Sequence, residues 1–473
     1  MTTPSVPDSC PALRACLAGL LALALAPTRP AAAAGPDTPY PAKVSENRRF
    51  LLDQHGRPFF YLGDTAWELI HRLNREEAGL YLKDRADQKF TVIQTVVLAE
   101  HGHEQPNPQG HVPLVGNDPT RPDEAYFADV DWVVDRADEL GLCTGLLPTW
   151  GDKWNKKWGR GPELFTPENA RIYGAYLGRR YRDKPVVWIL GGDRPIENDR
   201  HKAIMRAMAE GLRQGDGGRH LITFHPTGWQ SSADRLHDEP WLDFNMCQSG
   251  HAFNHENFRL IAADYARTPA KPCLDAEPGY EDHPSEFKAS NGYLDDYETR
   301  RFAYWALFAG ACGHTYGCHD IWQFYDKGRA PITFARTPWR QALVLPGSRQ
   351  MKHARALIES RPVLDRIPDP SLIVGDPGKG TDRIAATRGA DGSYAFVYSS
   401  SGMPFSVDLG RLSGRGLRTW WLDPRSGEAR AGESFAREGT REFRPPSRGK
   451  GNDWVLVIDD ASRAYRAPGG LAR

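Results

Sequence analysis

Two short segments carry acidic residues in settings that suit acid–base chemistry. Pro-Val-Val-Trp-Ile-Leu-Gly-Gly-Asp-Arg-Pro, residues 185–195, is an apolar strand that delivers Asp193 after two glycines, which let the chain turn without a Cβ penalty. Lys-Pro-Cys-Leu-Asp-Ala-Glu-Pro-Gly-Tyr-Glu, residues 271–281, ends a second apolar run at Glu277. A pair of carboxyls is what cleavage of a glycosidic acetal requires: one protonated to assist the leaving oxygen, the other ionised to attack carbon or to activate water. A separation of about 5–5.5 Å would give retention and about 6.5–9.5 Å inversion. Two like charges at close range resist double ionisation, so the two pKa values should be driven apart. Asp275, two residues before Glu277 on the same strand, points the same way in an extended chain and is the rival nucleophile.

Further groups stand at the ends of other apolar runs. Gly-Asp-Thr-Ala-Trp, residues 63–67, supplies Asp64 and a Trp67 that could stack on a sugar ring. His101, His103 and His225 could donate hydrogen bonds to hydroxyls or orient the carboxylates, and Gln248, His251 and His319 occupy equivalent positions. Trp150 and Trp154 flank Gly151-Asp152-Lys153 and are expected as an exposed aromatic pair forming a binding subsite. Trp188 lies inside a strand and is assigned to the core. No Gly-x-Gly-x-x-Gly opens a helix, and no Cys or His pairing has metal-ligand spacing, so neither a cofactor nor a metal is expected. Metal-dependent hydrolysis by the scattered rim His and Asp residues is the weaker alternative chemistry.

These groups need a scaffold that brings strand ends together. From about residue 50 to 345 a short apolar run, a polar or glycine stop and an amphipathic stretch recur, giving eight strands: Phe59–Leu62, Thr91–Leu98, Cys143–Pro148, Val186–Leu190, Leu221–Phe224, Phe244–Cys247, Cys273–Ala276 and Thr315–Cys318. Between them lie helical patterns such as Phe127, Val130, Val134, Ala137 and Leu140, stopped by Gly141. Alternation of this kind predicts an α/β fold, a (β/α)8 barrel over 43–365, whose functional groups gather at the C-terminal rim. About twenty residues separate the fifth and sixth strands, so that helix must be short. Residues 370–460 change style, with β runs at Arg383–Thr387, Tyr394–Tyr398, Phe405–Leu409, Thr419–Leu422 and Trp454–Ile458 between Gly, Pro, Ser and Asp, which predicts a small all-β sandwich. The tail, 461–473, is expected to be loose.

Composition narrows the function classes. Sixty Lys+Arg balance sixty Asp+Glu, which disfavours a nucleic-acid binder acting through a basic face. Hydrophobic residues at 40% and charged residues at 25% are those of an ordinary globular chain, which disfavours a polytopic membrane protein. Residues 1–34 run from Arg14 through a short apolar stretch to an alanine tract, the pattern of a secretory signal peptide, so a secreted or periplasmic location is expected without a membrane span. Cys16 precedes the apolar stretch, which does not fit a lipoprotein anchor. Of the five cysteines beyond residue 34, Cys143, Cys247 and Cys273 lie in apolar runs as buried thiols, and only Cys312 and Cys318 are close enough to suggest a bridge. The expected partner is an oligo- or polysaccharide, and a monomer is expected.

In combination, Gly-Asp-Thr-Ala-Trp, Trp-Ile-Leu-Gly-Gly-Asp and the Glu-Pro of the seventh strand resemble glycoside hydrolase family 140, the apiosidase-like barrels. Trp421-Leu422-Asp423-Pro424-Arg425-Ser426-Gly427 is similar to the collagen-binding-type β-sandwich that follows such barrels. The resemblance covers roughly residues 43–459. It implies a retaining enzyme with Asp193 as acid/base and Glu277 as nucleophile, acting on an apiose-bearing pectic glycan of plant cell walls. The competing reading is a catalytically inactive carbohydrate- or matrix-binding surface protein built on the same scaffold, since fold alone does not assign function. For the sandwich, packing against the barrel is the expected role.

Overall fold

The computed structural model describes residues 37–102 and 104–470; the signal-peptide reading and His103 lie outside them. Eight parallel strands form the barrel: β1 Tyr61–Thr65, β2 Val92–Leu98, β3 Cys143–Thr149, β4 Val186–Gly191, β5 Ile222–His225, β6 Asn245–Gln248, β7 Cys273–Asp275 and β8 Gly313–Tyr316. Ladders run β5-β4-β3-β2-β1-β8-β7-β6. The seam between β5 and β6 is closed by the Asp243 amide donating to Ile222 O at 2.9 Å and Thr223 Oγ1 donating to Phe244 O at 2.7 Å. Each strand is followed by a helix: α1 Arg75–Asp87, α2 Glu124–Glu139, α3 Pro167–Arg180, α4 Asp199–Asp216, α5 Ala233–Leu236, α6 Phe258–Tyr265, α7 Asp296–Phe308 and α8 Pro346–Glu359. The fold is therefore the (β/α)8 barrel, and the short fifth helix is a single turn.

The period-2 alternation of strand side chains sorts residues between two environments. Tyr61, Val92, Val96, Cys143, Leu147, Val187, Ile189 and Leu274 fill the interior, while Leu62, Ile93, Val97, Leu146, Trp188 and Leu190 face the helices. Trp188 is fully buried there and donates to Asp216 at 3.1 Å. A small antiparallel hairpin, Lys43–Val44, Leu51–Leu52 and Pro58–Phe59, closes the end at which the strands begin, with Phe50, Leu51 and Phe59 joining the interior cluster. Phe59 thus belongs to this plug, and β1 starts two residues later than the apolar run suggested.

Asn74 with Glu77, and Asp295 with Glu298, make reciprocal capping boxes that start α1 and α7. Helices α3 and α4, which flank β4, approach at backbone distance. A Cβ on Gly211 would lie 2.2 Å from Arg171 O, and one on Gly178 would lie 2.3 Å from Leu212 O. Glycine spacing in both helices is what allows this approach.

The C-terminal module contains β9 Arg366–Pro368, β10 Ile373–Val374, β11 Ile384–Gly389, β12 Tyr394–Ser399, β13 Phe405–Asp408, β14 Gly416–Leu422, β15 Ala429–Ala436, β16 Thr440–Phe443 and β17 Trp454–Asp460. An antiparallel sheet in the order β9-β11-β12-β17-β14-β15 packs on a second sheet, β10-β13-β16. β15 and β16 escaped the sequence reading because most of their residues are exposed and polar. One face of the larger sheet meets the smaller one through Ala395, Val397, Leu456 and Ile458; the other meets the barrel. There Tyr398 stacks on Tyr304 at 4.8 Å, and Arg300 binds Asp453 through two hydrogen bonds of 2.9 and 3.1 Å. Arg361 and Asp459 form a second buried pair, both bonds 2.8 Å. With both faces covered, every residue of β12 is buried. Residues 461–470 run along this module: Tyr465 reaches Ser393 Oγ at 3.2 Å and lies under the Arg361 guanidinium.

Candidate active site

Asp193 reaches the rim by an unusual backbone. Gly191, Gly192 and Asp193 have φ of 95°, 98° and 56°, three consecutive left-handed residues beginning at the last residue of β4. Side chains at the glycines would collide with the neighbouring strand ends: a Cβ on Gly191 would lie 2.4 Å from His225 O, and one on Gly192 would lie 2.7 Å from Gly151 N. The turn is held by the Gly151 amide donating to Gly192 O at 2.9 Å, the Gly192 amide to His225 O at 3.1 Å and the Trp154 indole to Gly191 O at 3.1 Å. A left-handed aspartate costs on the order of 1 kcal/mol and persists only where its surroundings over-determine it, as they do here.

Glu277 gets to the same cleft differently. On β7, Leu274 points inward, and Asp275 faces out to Ser249 at 2.7 Å and Asn257 at 2.9 Å. The ladder stops at Asp275, so the chain leaves extended geometry before Glu277, which turns into the cleft. Parity alone would have sent both carboxyls the same way. Asp275 is fully buried, its Oδ2 accepts from both Ser249 and Asn257, and it does not line the cleft.

The cleft has a volume of about 800 Å³ and is lined by both Asp193 and Glu277. His225 Nε2 lies 3.0 Å from Glu277 Oε2, and His251 Nε2 lies 3.3 Å from Oε1. His251 Nδ1 accepts the Tyr280 amide at 3.4 Å, so the proton of the neutral ring sits on Nε2, facing the carboxylate. Burial works to raise the Glu277 carboxyl, but the two imidazoles outweigh it and hold the group down at about 2. Burial and the charge of Glu277 push Asp193 up to about 6, against Arg194, His225 and Gln248. Arg194, wholly buried, donates to Asp193 Oδ2 at 2.9 Å and to Glu100 Oε1 at 2.7 Å, fixing the orientation of the Asp193 carboxyl. Burial lifts Glu100 to about 7. Of the pair, Asp193 therefore leans to the protonated form and Glu277 to the ionised one in mildly acidic solution.

Of the residues singled out in the sequence, Trp67, His101, Trp150, Gln248, His251 and His319 line this cleft, and His225 contacts Glu277 from beneath. Trp67 and Trp150 are only 4% and 6% exposed and form its floor, 5.1 Å apart, with the Trp67 indole donating to Tyr280 at 3.2 Å. His319 is bound to Thr333 O at 2.9 Å, and burial lowers both it and His101 to about 4. Three expectations fail. Asp64 lies on the outward face of β1, fully buried, accepting from Tyr81 at 2.6 Å and Arg85 at 2.5 Å on α1; strand parity puts it opposite the cleft. Trp154 is fully buried beneath the Gly191 turn and offers no sugar platform. The suggested Cys312–Cys318 bridge is absent too: all five described cysteines are free and buried.

Exposed aromatics do exist at the cleft, at positions the sequence reading passed over: Trp158, Trp229 and Phe287. Their signal was faint, because each stands in a polar loop without periodicity. Among the described residues, no group of three or more His, Cys, Asp or Glu side chains could hold a metal ion, and no helix is long and apolar enough to cross a membrane.

Residues 45–365 match the sequence model of the apiosidase-like catalytic domain. The chain belongs to the apiosidase-like family. Residues 367–459 of this apiosidase-like protein match a domain named for collagen binding in a collagenase. A solved structure titled glycoside hydrolase is 33% identical over 91% of this chain and 98% of its own, with a TM-score of 0.83. A glycoside hydrolase family 5 structure from Bacteroides vulgatus ATCC 8482 is 34% identical over 91% of this chain and 94% of its own, also at 0.83. Comparison with curated proteins gives no match. The apiosidase-like protein is a glycosidase, and its sandwich packs on the barrel.

Proposed function

We propose that this glycosidase is a retaining enzyme of glycoside hydrolase family 140 with Asp193 as acid/base and Glu277 as nucleophile. The observation that carries the reading is that Asp193 and Glu277 line one cleft in opposed settings, Glu277 facing His225 at 3.0 Å and His251 at 3.3 Å, and Asp193 bound by Arg194 at 2.9 Å. In the first step Asp193 gives its proton to the departing glycosidic oxygen while Glu277 bonds to the anomeric carbon and the C–O bond breaks. In the second, Asp193 takes a proton from water, whose oxygen bonds to the anomeric carbon as the ester to Glu277 breaks. The match to the apiosidase-like domain supports an apiose-bearing pectic glycan as substrate, and the N-terminal pattern supports export to a secreted or periplasmic location.

The test is the anomer first released from an apiose-bearing pectic oligosaccharide, followed by proton NMR, together with two variants. Retention is expected; Glu277→Gln should lose several orders of magnitude in kcat. Asp193→Ala should damage poor leaving groups far more than activated aryl glycosides, because only the former need a proton. Inversion, or normal turnover by the Glu277 variant, would overturn the assignment.

A further inference from the structure

Three large aromatic residues, Trp229, Phe287 and Phe334, combine two properties that rarely coincide. They are 44%, 54% and 57% exposed, and their φ angles are 58°, 59° and 65°. Left-handed backbone is strained for bulky residues, and an exposed aromatic gains little from burial to offset it. Trp229 and Phe287 line the cleft, and Phe334 is the chain neighbour of the lining residue Thr333. The strain is held from the site outward. The Trp229 amide donates to Gln248 O at 2.7 Å at the end of β6, and its ring packs on His255 at 4.7 Å. The Glu286 amide donates to His251 O at 2.8 Å, and Phe287 packs against His283 at 4.8 Å. Thr333 O is the partner of His319.

We propose that Trp229 and Phe287 form a rim that binds the glycan beyond the scissile bond, so that the enzyme selects an extended oligosaccharide over a simple glycoside. The inference rests on the glycosidase reading of the cleft and names the size class of its substrate. Exposed rings offer their faces to the C–H surfaces of sugar residues, and a backbone over-determined in a costly conformation presents them without ordering on binding. Continuity with the carboxyl pair, through His251 between Glu277 and Phe287, identifies the occupant as the chain being cut.

Glycine tolerates left-handed φ, so Trp229→Gly and Phe287→Gly separate fold from binding. Each should unfold at a temperature equal to or above that of the parent. The ratio of KM on an apiose-bearing pectic oligosaccharide to KM on 4-nitrophenyl apioside should rise at least tenfold. In the Glu277→Gln background, calorimetry should show a matching loss of oligosaccharide affinity. An unchanged KM ratio with unchanged affinity would overturn the rim while leaving the glycosidase reading intact. Failure of the parent enzyme to cleave either substrate would instead strike that reading. Concentration-dependent dimerisation abolished by Trp229→Gly, with oligosaccharide affinity unchanged, would show a second copy of the chain as occupant and also overturn the proposal.

Discussion

The indole N–H of Trp154, wholly buried, is donated to the carbonyl oxygen of Gly191 at 3.1 Å. It is a tether on the turn that carries Asp193, and a buried hydrogen bond of this kind contributes about 1 kcal/mol. Trp154→Phe keeps most of the packing against Phe224 and His201 and removes the donor. We expect a stability loss of about 1–2 kcal/mol in denaturant titration, and a fall in kcat larger than any rise in KM. A change confined to KM would show that Trp154 contacts substrate after all.

The opposed carboxyls predict a broad pH profile. The proposed mechanism requires Asp193 protonated and Glu277 ionised, so kcat/KM should fall as pH rises through about 6 and again as pH drops toward about 2. His251→Phe removes the Nε2 proton facing Glu277 and leaves burial less opposed. The acidic limb should then move up by about one unit, the scale of a lost partner. Because Glu277 is held below its unfolded value, its contribution to stability is complete above about 4.5 and is lost as pH falls toward 2. An acidic limb that stays in place in His251→Phe would separate that imidazole from the Glu277 carboxylate.

Asp64 and Arg85 form a fully buried pair on the helix side of β1. Asp64→Ala leaves the Arg85 guanidinium without its main counter-charge, at a cost of about 3–5 kcal/mol. Thermal unfolding should drop accordingly, with KM of the folded enzyme unchanged. A selective rise in KM with normal stability would restore Asp64 to substrate binding.

Gly211 on α4 lies against the backbone of α3. In Gly211→Ala the new Cβ meets Arg171 O at 2.2 Å, so the helices must separate. A loss of about 1–3 kcal/mol is expected from overpacking, and activity should fall as β4 and its Asp193 turn are disturbed. Near-parent stability would mean that α3 and α4 part at little cost.

The barrel was legible because its strands are apolar runs with stops, and alternation of those runs with amphipathic stretches leaves few topologies. Glu277 and Asp193 were legible as rim residues for the same reason. What misled were positions where two readings share a pattern. Gly-Asp-Thr-Ala-Trp looks alike whether Asp64 faces the cleft or the helices, and one residue of register decides it. Trp150 and Trp154 stand four apart around a short loop, yet one floors the cleft and the other lies under the turn. Trp229, Phe287 and Phe334 gave only a faint signal, since left-handed backbone in a loop has no sequence period.

Local sequence was enough to determine the eight strand–helix units, the all-β module after them and the two carboxyls at strand ends, because hydrophobic period and glycine placement act over a few residues. Tertiary structure alone decided which side chains enter the cleft and what charge they carry. Both depend on where a strand leaves extended geometry, as β7 does before Glu277, and on burial and neighbours brought from distant segments, as His225 and His251 are brought to that carboxylate.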